Sequence, residues 1–340
     1  MQDASGLTRW QYDSRGRVTL ERKSFNGIGF VETNWTYDAA DRVRSIIYPG
    51  GEVVTTTYTS QGLPNALTNQ LGSTSGAYVL STTYDEAGRP DIRSLNNGLQ
   101  TNYDYYAWTT ANGRGRLFNI KTTVGAGGAA RQDLRYGYDA VGNVTLEADA
   151  LNFTGGTPGF QRQCFLYDAL NRLLRAWTTS GYCNFTTPNP DTQGAQPYDE
   201  SYTYQANGNL ATKGATGSPA SYSYGQQATS CPEGQLAAKP HAVVAVGADD
   251  YCYDQNGNMR RREIWGQIET LSYDAENHHT ALSSTDGAQY TFTYDCAGAR
   301  ATAATGTGES AAVTAYAGPL LELDRLYGEN FDDGLAQGLS

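Results

Sequence analysis

The 340 residues predict an all-β fold, a strip of antiparallel hairpins repeated along the chain. Three observations carry this. A tyrosine, usually followed by Asp, leads into a turn ten times: Tyr12, Tyr37, Tyr58, Tyr84, Tyr138, Tyr167, Tyr204, Tyr253, Tyr273 and Tyr294. The residues before each tyrosine alternate with period two, as in Tyr290-Thr-Phe-Thr-Tyr294. No stretch carries a sustained 3.6-residue apolar stripe, so strand should dominate and helix should be nearly absent. Self-similarity at a spacing of tens of residues means one small unit stacked many times.

The unit begins with the incoming strand. Two residues before the anchor tyrosine stand Trp10, Trp35, Tyr136, Phe165, Tyr202, Tyr251 and Phe292. Side chains two apart share one face of a strand, so anchor and aromatic form a row. The tip follows. The fourth residue after the anchor is Gly16, Asp41, Gly62, Gly88, Gly142, Asn171, Gly208, Gly257, Asn277 or Gly298. Gly, Asn and Asp are the residues that tolerate positive φ. The Asp after the anchor can accept backbone N–H bonds of the turn. Asp-x-x-Gly therefore reads as a type I turn closed by a left-handed residue. A second strand then leaves, as in Val18-Thr-Leu-Glu-Arg22.

Roughly midway between tips lies a second set of turns: Asn26-Gly27, Pro49-Gly50-Gly51, Asn97-Gly98, Trp265-Gly266 and Asp286-Gly287. Turning at both edges makes an antiparallel meander. Two gaps between anchors are about double and imply degenerate copies. One is Tyr105-Tyr106-Ala-Trp108 running to Arg116-Leu117. The other is Tyr222-Ser-Tyr224-Gly225, its turn expanded through Cys231-Pro-Glu-Gly234. Stacked units are expected to share one continuous core, with each anchor ring largely buried against its neighbours, and Tyr138 more so than Tyr12.

These residues resemble the YD-repeat family: Rhs proteins, cocooning components of insecticidal toxin complexes, wall-associated bacterial proteins and teneurins. The pattern is close to Tyr-Asp-x-x-Gly-Arg-Leu, and the resemblance covers essentially the whole chain. It implies hairpin strips that spiral into a shell, often around a toxic C-terminal segment. The implied domain plan is a YD/Rhs repeat array over 1–315 and the start of an Rhs-associated core, truncated, over 316–340. Tyr316-Ala-Gly-Pro-Leu-Leu-Glu-Leu-Asp-Arg325 resembles the entry to that core. The self-cleavage motif of that core has only a faint echo in Asp333-Gly-Leu335, so no protease residues are carried over. The resemblance further implies a secreted or cell-surface bacterial protein. Its partners would be the remainder of a longer shell or a toxin cargo. The alternative is an adhesion module for glycans or cell-surface proteins.

A net charge of −11 and a pI near 4.7 make nucleic acid and anionic membranes poor partners. No apolar run approaches the length of a membrane-spanning helix. The N-terminus lacks a basic-then-apolar signal segment, and Asp3-Ala-Ser-Gly6 reads as the tail of another tip. Five cysteines leave at least one thiol unpaired within the chain. Pairs such as Cys164 with Cys183, or Cys231 with Cys252, can meet across loops.

No catalytic, cofactor or metal site is expected. Asp254-Gln-Asn256-Gly-Asn258 mimics the first ligands of a calcium loop, but Trp265 stands where that loop needs its late Glu. His278 and His279 fall in a degenerate turn, and three histidines give little material for general-base chemistry. The residues singled out are therefore structural. The anchors are Tyr12, Tyr37, Tyr84, Tyr138, Tyr167, Tyr204, Tyr253, Tyr273 and Tyr294. The turn glycines are Gly16, Gly88, Gly142, Gly208, Gly257 and Gly298.

Overall fold

The computed structural model describes the chain except residues 4, 26–28, 152–160, 192–195, 233, 235, 307–310, 317–321 and 326–340. The Asn26-Gly27 turn, Asp333-Gly-Leu335 and most of the 316–340 stretch lie outside the described residues. Everything assigned is strand or turn, and no helix occurs among the described residues.

Strands pair antiparallel with their neighbours in sequence. Gly6–Tyr12 pairs with Val18–Phe25, which pairs with Gly29–Tyr37. Ala130–Tyr138 pairs with Val144–Asp149, which pairs with Gln161–Tyr167. Gln267–Tyr273, His279–Ser284, Gln289–Tyr294 and Arg300–Thr305 continue the pattern. Short connections favour this meander, because a two-stranded ladder is closed by a turn of a few residues.

One irregularity recurs at the same place. The register shifts between the residue before the anchor and the anchor itself. It does so at Gln11/Tyr12, Thr36/Tyr37, Gly137/Tyr138, Leu166/Tyr167, Thr203/Tyr204, Cys252/Tyr253, Ser272/Tyr273 and Thr293/Tyr294. The shift is a β-bulge, the natural partner of a turn that ends in a left-handed residue. Both degenerate copies share it: Tyr105 pairs with Leu117 and Tyr224 with Val243 across the same kind of shift.

Packing divides the chain into two compact units, residues 54–221 and residues 1–53 with 222–340. In the second, the first hairpins meet the last. Phe25, Val31, Ala301 and Ala315 form one buried cluster. The Lys23 ammonium lies 2.9 Å from the Asp295 carboxylate, both of them largely buried. Asp3 Oδ2 accepts the Cys296 backbone N–H at 3.0 Å. In the other unit the best-buried side chains are Ala148, Cys164, Trp177, Thr178 and Thr179.

The expected continuous core is absent among the described residues. Most strand side chains are half-buried, and fully buried ones cluster at a few places. The reason is geometric: a hairpin strip buries side chains against its own neighbours, and only a second layer of chain seals a face completely.

Candidate functional site

The tip is where the repeat concentrates its polar chemistry. In the first unit, Asp13 N–H donates to the Arg17 carbonyl at 3.0 Å and Gly16 N–H to the Asp13 carbonyl at 3.0 Å. The same two bonds recur at Asp38, Asp85, Asp139, Asp168, Asp254, Asp274 and Asp295. The fourth residue has positive φ at all ten anchors, from Asn171 at 62° to Gly142 at 108°. Gly16, Gly88, Gly208, Gly257 and Gly298 lie between 76° and 94°. A side chain is tolerated there only where it is Asp or Asn, as at Asp41, Asn171 and Asn277.

The tip carboxylate is fully engaged. Asp13 Oδ1 accepts the N–H groups of Arg15 and Arg17, while Oδ2 takes Arg17 Nε at 2.7 Å. Asp38, Asp85 and Asp168 repeat this with Arg42, Arg89 and Arg172. Asn143 and Asn258 replace the arginine at Asp139 and Asp254. These bonds hold the carboxyls below the usual carboxylate range. At Asp13, Asp38 and Asp85 the guanidinium hydrogen bond is the main cause. At Asp168 and Asp274 it is the backbone N–H of Arg172 and His278. At Asp139 and Asp254 burial pushes upward, and hydrogen bonds to the ionised form outweigh it.

The anchor tyrosine ties one unit to the one before. Tyr37 Oη donates to the Val18 carbonyl at 2.7 Å, and Tyr138 to that of Leu117 at 2.9 Å. Tyr84, Tyr105, Tyr167, Tyr204, Tyr253 and Tyr294 do the same to Pro64, Pro90, Val144, Leu173, Val243 and His279. Each acceptor opens, or closely follows the tip of, the preceding outgoing strand. The preceding arginine covers the ring: Arg17 lies 4.6 Å from the Tyr37 centroid, Arg89 4.0 Å from Tyr105 and Arg172 4.5 Å from Tyr204. One guanidinium thus serves its own carboxylate and the next anchor.

The anchors are less buried than expected. Tyr138 and its interior counterparts are half-buried, and Tyr12 is 59% exposed. An unsealed sheet face leaves the ring edge open while the hydroxyl and one ring face stay engaged. Burial lifts the hydroxyl pKa above the ordinary phenol value at Tyr138, Tyr167 and Tyr253.

His278 stands in the arginine place. Its N–H and Nδ1 face the Asp274 carboxylate, and its ring stacks on Tyr294 with centroids 4.6 Å apart. His279 fills the apolar place, and burial pushes its pKa down, favouring the neutral ring. Asp254, the start of the calcium-loop mimic, is occupied by Asn256 and Asn258. Among the described residues no three His, Cys, Asp or Glu side chains are grouped to hold a metal.

Two loops depart from the repeat. The stretch after Thr179 is pinned by the Cys164–Cys183 disulfide, and Phe185 packs edge-on to Trp177 at 5.9 Å. The stretch after Tyr224 is pinned by Cys231–Cys252. Within it the buried Gln227 amide takes over ladder duty, accepting Tyr253 N–H at 2.8 Å and donating to its carbonyl at 3.1 Å. Cys296 remains a free, exposed thiol. The tip carboxylates could be found from residue spacing, which left the cysteine pairing open. The tyrosine tie could not, because its acceptor is a backbone carbonyl that any residue supplies.

No family model matches the chain. Two toxin subunits of Yersinia entomophaga are related in sequence. YenC1 is 28% identical over 287 residues, covering 80% of this chain and 25% of that protein. YenC2 is 29% identical over 228 residues, covering 62% and 23%. The chain thus spans about a quarter of the length of the curated relatives it matches. Among solved structures, that of TcdB2-TccC3-TEV superposes on 95% of this chain and 17% of that one, with a TM-score of 0.71 at 20% identity. That agreement establishes the fold as all-β successive hairpins.

Proposed function

We propose that this chain is a non-catalytic wall segment of a longer, secreted bacterial toxin of the Rhs type, enclosing or presenting an effector. The observation that carries the reading is the tie itself. At tip after tip the carboxylate, the arginine or asparagine and the next tyrosine hydroxyl are engaged with one another or with the backbone. Such groups are committed to holding a continuous surface together, which supports a structural role over a catalytic one. The sequence relationship to two toxin subunits supports the same reading. The domain plan, an array over 1–315 leading into a core segment from 316, belongs to this proposal.

The test uses the longer natural protein that contains this chain. A wall should shield whatever it encloses from added protease. Loosening the wall by Tyr138→Ala and Tyr167→Ala should make that cargo digestible before the chain itself unfolds. A cargo equally sensitive in both forms would refute the enclosing role. Turnover of a substrate that survives both substitutions would refute the non-catalytic one.

A further inference from the structure

One cleft, of about 480 Å³, lies wholly within the unit 54–221. Its floor is a departure from the repeat. The residue before the anchor is Thr or Ser in most hairpins, such as Thr36, Thr83, Thr203, Ser272 and Thr293, but here it is Gly137. A Cβ at Gly137 would stand 3.1 Å from the Leu146 Cβ. Its absence leaves backbone exposed between two raised walls.

The walls are the two irregular stretches of this unit. On one side the expanded tip after Tyr105 presents Tyr106, Thr110 and Asn112. Tyr106 is fixed by its hydroxyl bond to the Tyr136 carbonyl at 2.9 Å and by edge packing on Phe118 at 5.0 Å. On the other side the loop tethered by Cys164–Cys183 presents Tyr182. Arg162 supports that ring from 5.1 Å, and its own Nη1 donates to the Ser180 and Gly181 carbonyls at 2.8 and 2.6 Å. Tyr182 is nevertheless 86% exposed. A large aromatic on a braced loop, held in solvent beside a cleft, is a ready platform.

The polar lining narrows the ligand. The side chains of Thr110, Asn112 and Thr145 make no hydrogen bond among the described residues, so donors and acceptors stand free at the rim. No carboxylate lines the cleft, which argues against a cation. The Arg162 charge is directed at two carbonyls, and the chain is acidic overall, which argues against an anion. What remains is a neutral molecule with apolar ring faces and hydroxyl edges. We propose that this cleft binds a short neutral oligosaccharide. A sugar ring stacks on Tyr182 and Tyr106, and its hydroxyls bond Asn112, Thr110 and Thr145. A toxin wall can carry such a site on its surface, so the inference stands apart from the enclosing role.

The experiment screens the 340-residue chain against immobilised gluco-, N-acetylglucosamino-, manno- and galacto-oligosaccharides. Any sugar retained is then titrated by calorimetry. At least one should be retained, and Tyr182→Ala and Asn112→Ala should each weaken it at least tenfold. Both positions are exposed, so the thermal midpoint should not move. Trp265→Ala, which removes a 92% exposed aromatic elsewhere, should leave binding unchanged. The inference is overturned if the folded chain retains no oligosaccharide. It is equally overturned if either cleft variant binds like the parent, if Trp265→Ala loses as much, or if an unfolded polypeptide occupies the cleft instead. Protease shielding of a cargo is unaffected by these variants, so the two readings fail separately.

Discussion

Between Asp13 and Arg17 the chain reverses with one carboxylate, one glycine and one guanidinium. Between Ser180 and Tyr198 it needs a disulfide, a fully buried tryptophan and the Asp191 carboxylate gripping Ser180. The regular tips use local polar bonds and leave their rings half open. The two loops add side chains against the sheet, Phe185 on Trp177 and Gln227 on the Tyr253 backbone. Among the described residues the largest side chains buried to within 2% of complete are Trp177, Gln227, Thr178, Thr179, Cys164 and Cys252, all in or beside those loops. Regular repeats therefore gain stability by number and local fit, whereas the interruptions behave like small domains with cores of their own.

Acid should separate the two most sharply. The tip carboxyls have folded pKa values below the unfolded value near 3.9, so the unfolded chain takes up protons first. Their contribution is present above about pH 4 and is lost as pH falls through the lower folded values. Pepsin should therefore nick regular hairpins first below about pH 3. Cleavage confined to the disulfide loops would break the comparison.

Among substitutions, Trp177→Ala should have the largest effect, about 3–5 kcal/mol in denaturant melts, as for an aromatic removed from a core. Tyr138→Ala removes a half-buried ring and one hydrogen bond and should cost only about 2 kcal/mol. Equal costs would mean the two regions are not distinct. Next come the disulfides, which span sequence separations of 19 and 21 residues. Reducing either should cost about 3 kcal/mol. Hydrogen exchange should rise across its loop and remain slow in hairpins such as Gln267–Tyr273 with His279–Ser284.

Gly142→Val should cost about 1–3 kcal/mol, since φ is 108° and a Cβ would sit 2.5 Å from an Arg116 guanidinium nitrogen. At Gly208 a Cβ meets nothing within 4 Å, and Asn171 holds the equivalent place, so Gly208→Asn should be felt far less. The smallest expected change is Tyr138→Phe, about 1 kcal/mol for the single tie to the Leu117 carbonyl. Thermal melts that place it level with Gly142→Val would show the tie to be worth more than its one bond.

Much of this was legible beforehand because the repeat writes the same residues at the same offsets. Tyr12, Asp13 and Gly16 announce strand end, cap and left-handed residue by type alone. Cys164 with Cys183 was one of the pairs that the loop lengths left open, and the structure closes it. What stayed hidden depends on backbone or on distance along the chain. The acceptor of Tyr138 is a peptide carbonyl, so nothing in the identity of Leu117 reveals it. Lys23 and Asp295 stand 272 positions apart, and no local pattern links them. The burial of Trp177 and the opening at Gly137 arise where the repeat is interrupted, and a periodic reading has least to say there.

The direction of the tyrosine tie has a consequence for how the molecule is made. At Tyr37, Tyr138, Tyr167, Tyr204 and Tyr294 the anchor hydroxyl reaches back to a strand that left the ribosome earlier. The arginine that covers the ring also precedes it. A newly emerged hairpin therefore finds its acceptor and its cation already in place, and can lock while translation continues. Growth is one-ended, like laying courses on a finished row, with the newest strand as the sole template for the next. Contacts joining the first hairpins to the last, among them Lys23 with Asp295, Asp3 with Cys296 and the cluster of Phe25 and Val31 with Ala301 and Ala315, must wait for nearly the whole chain.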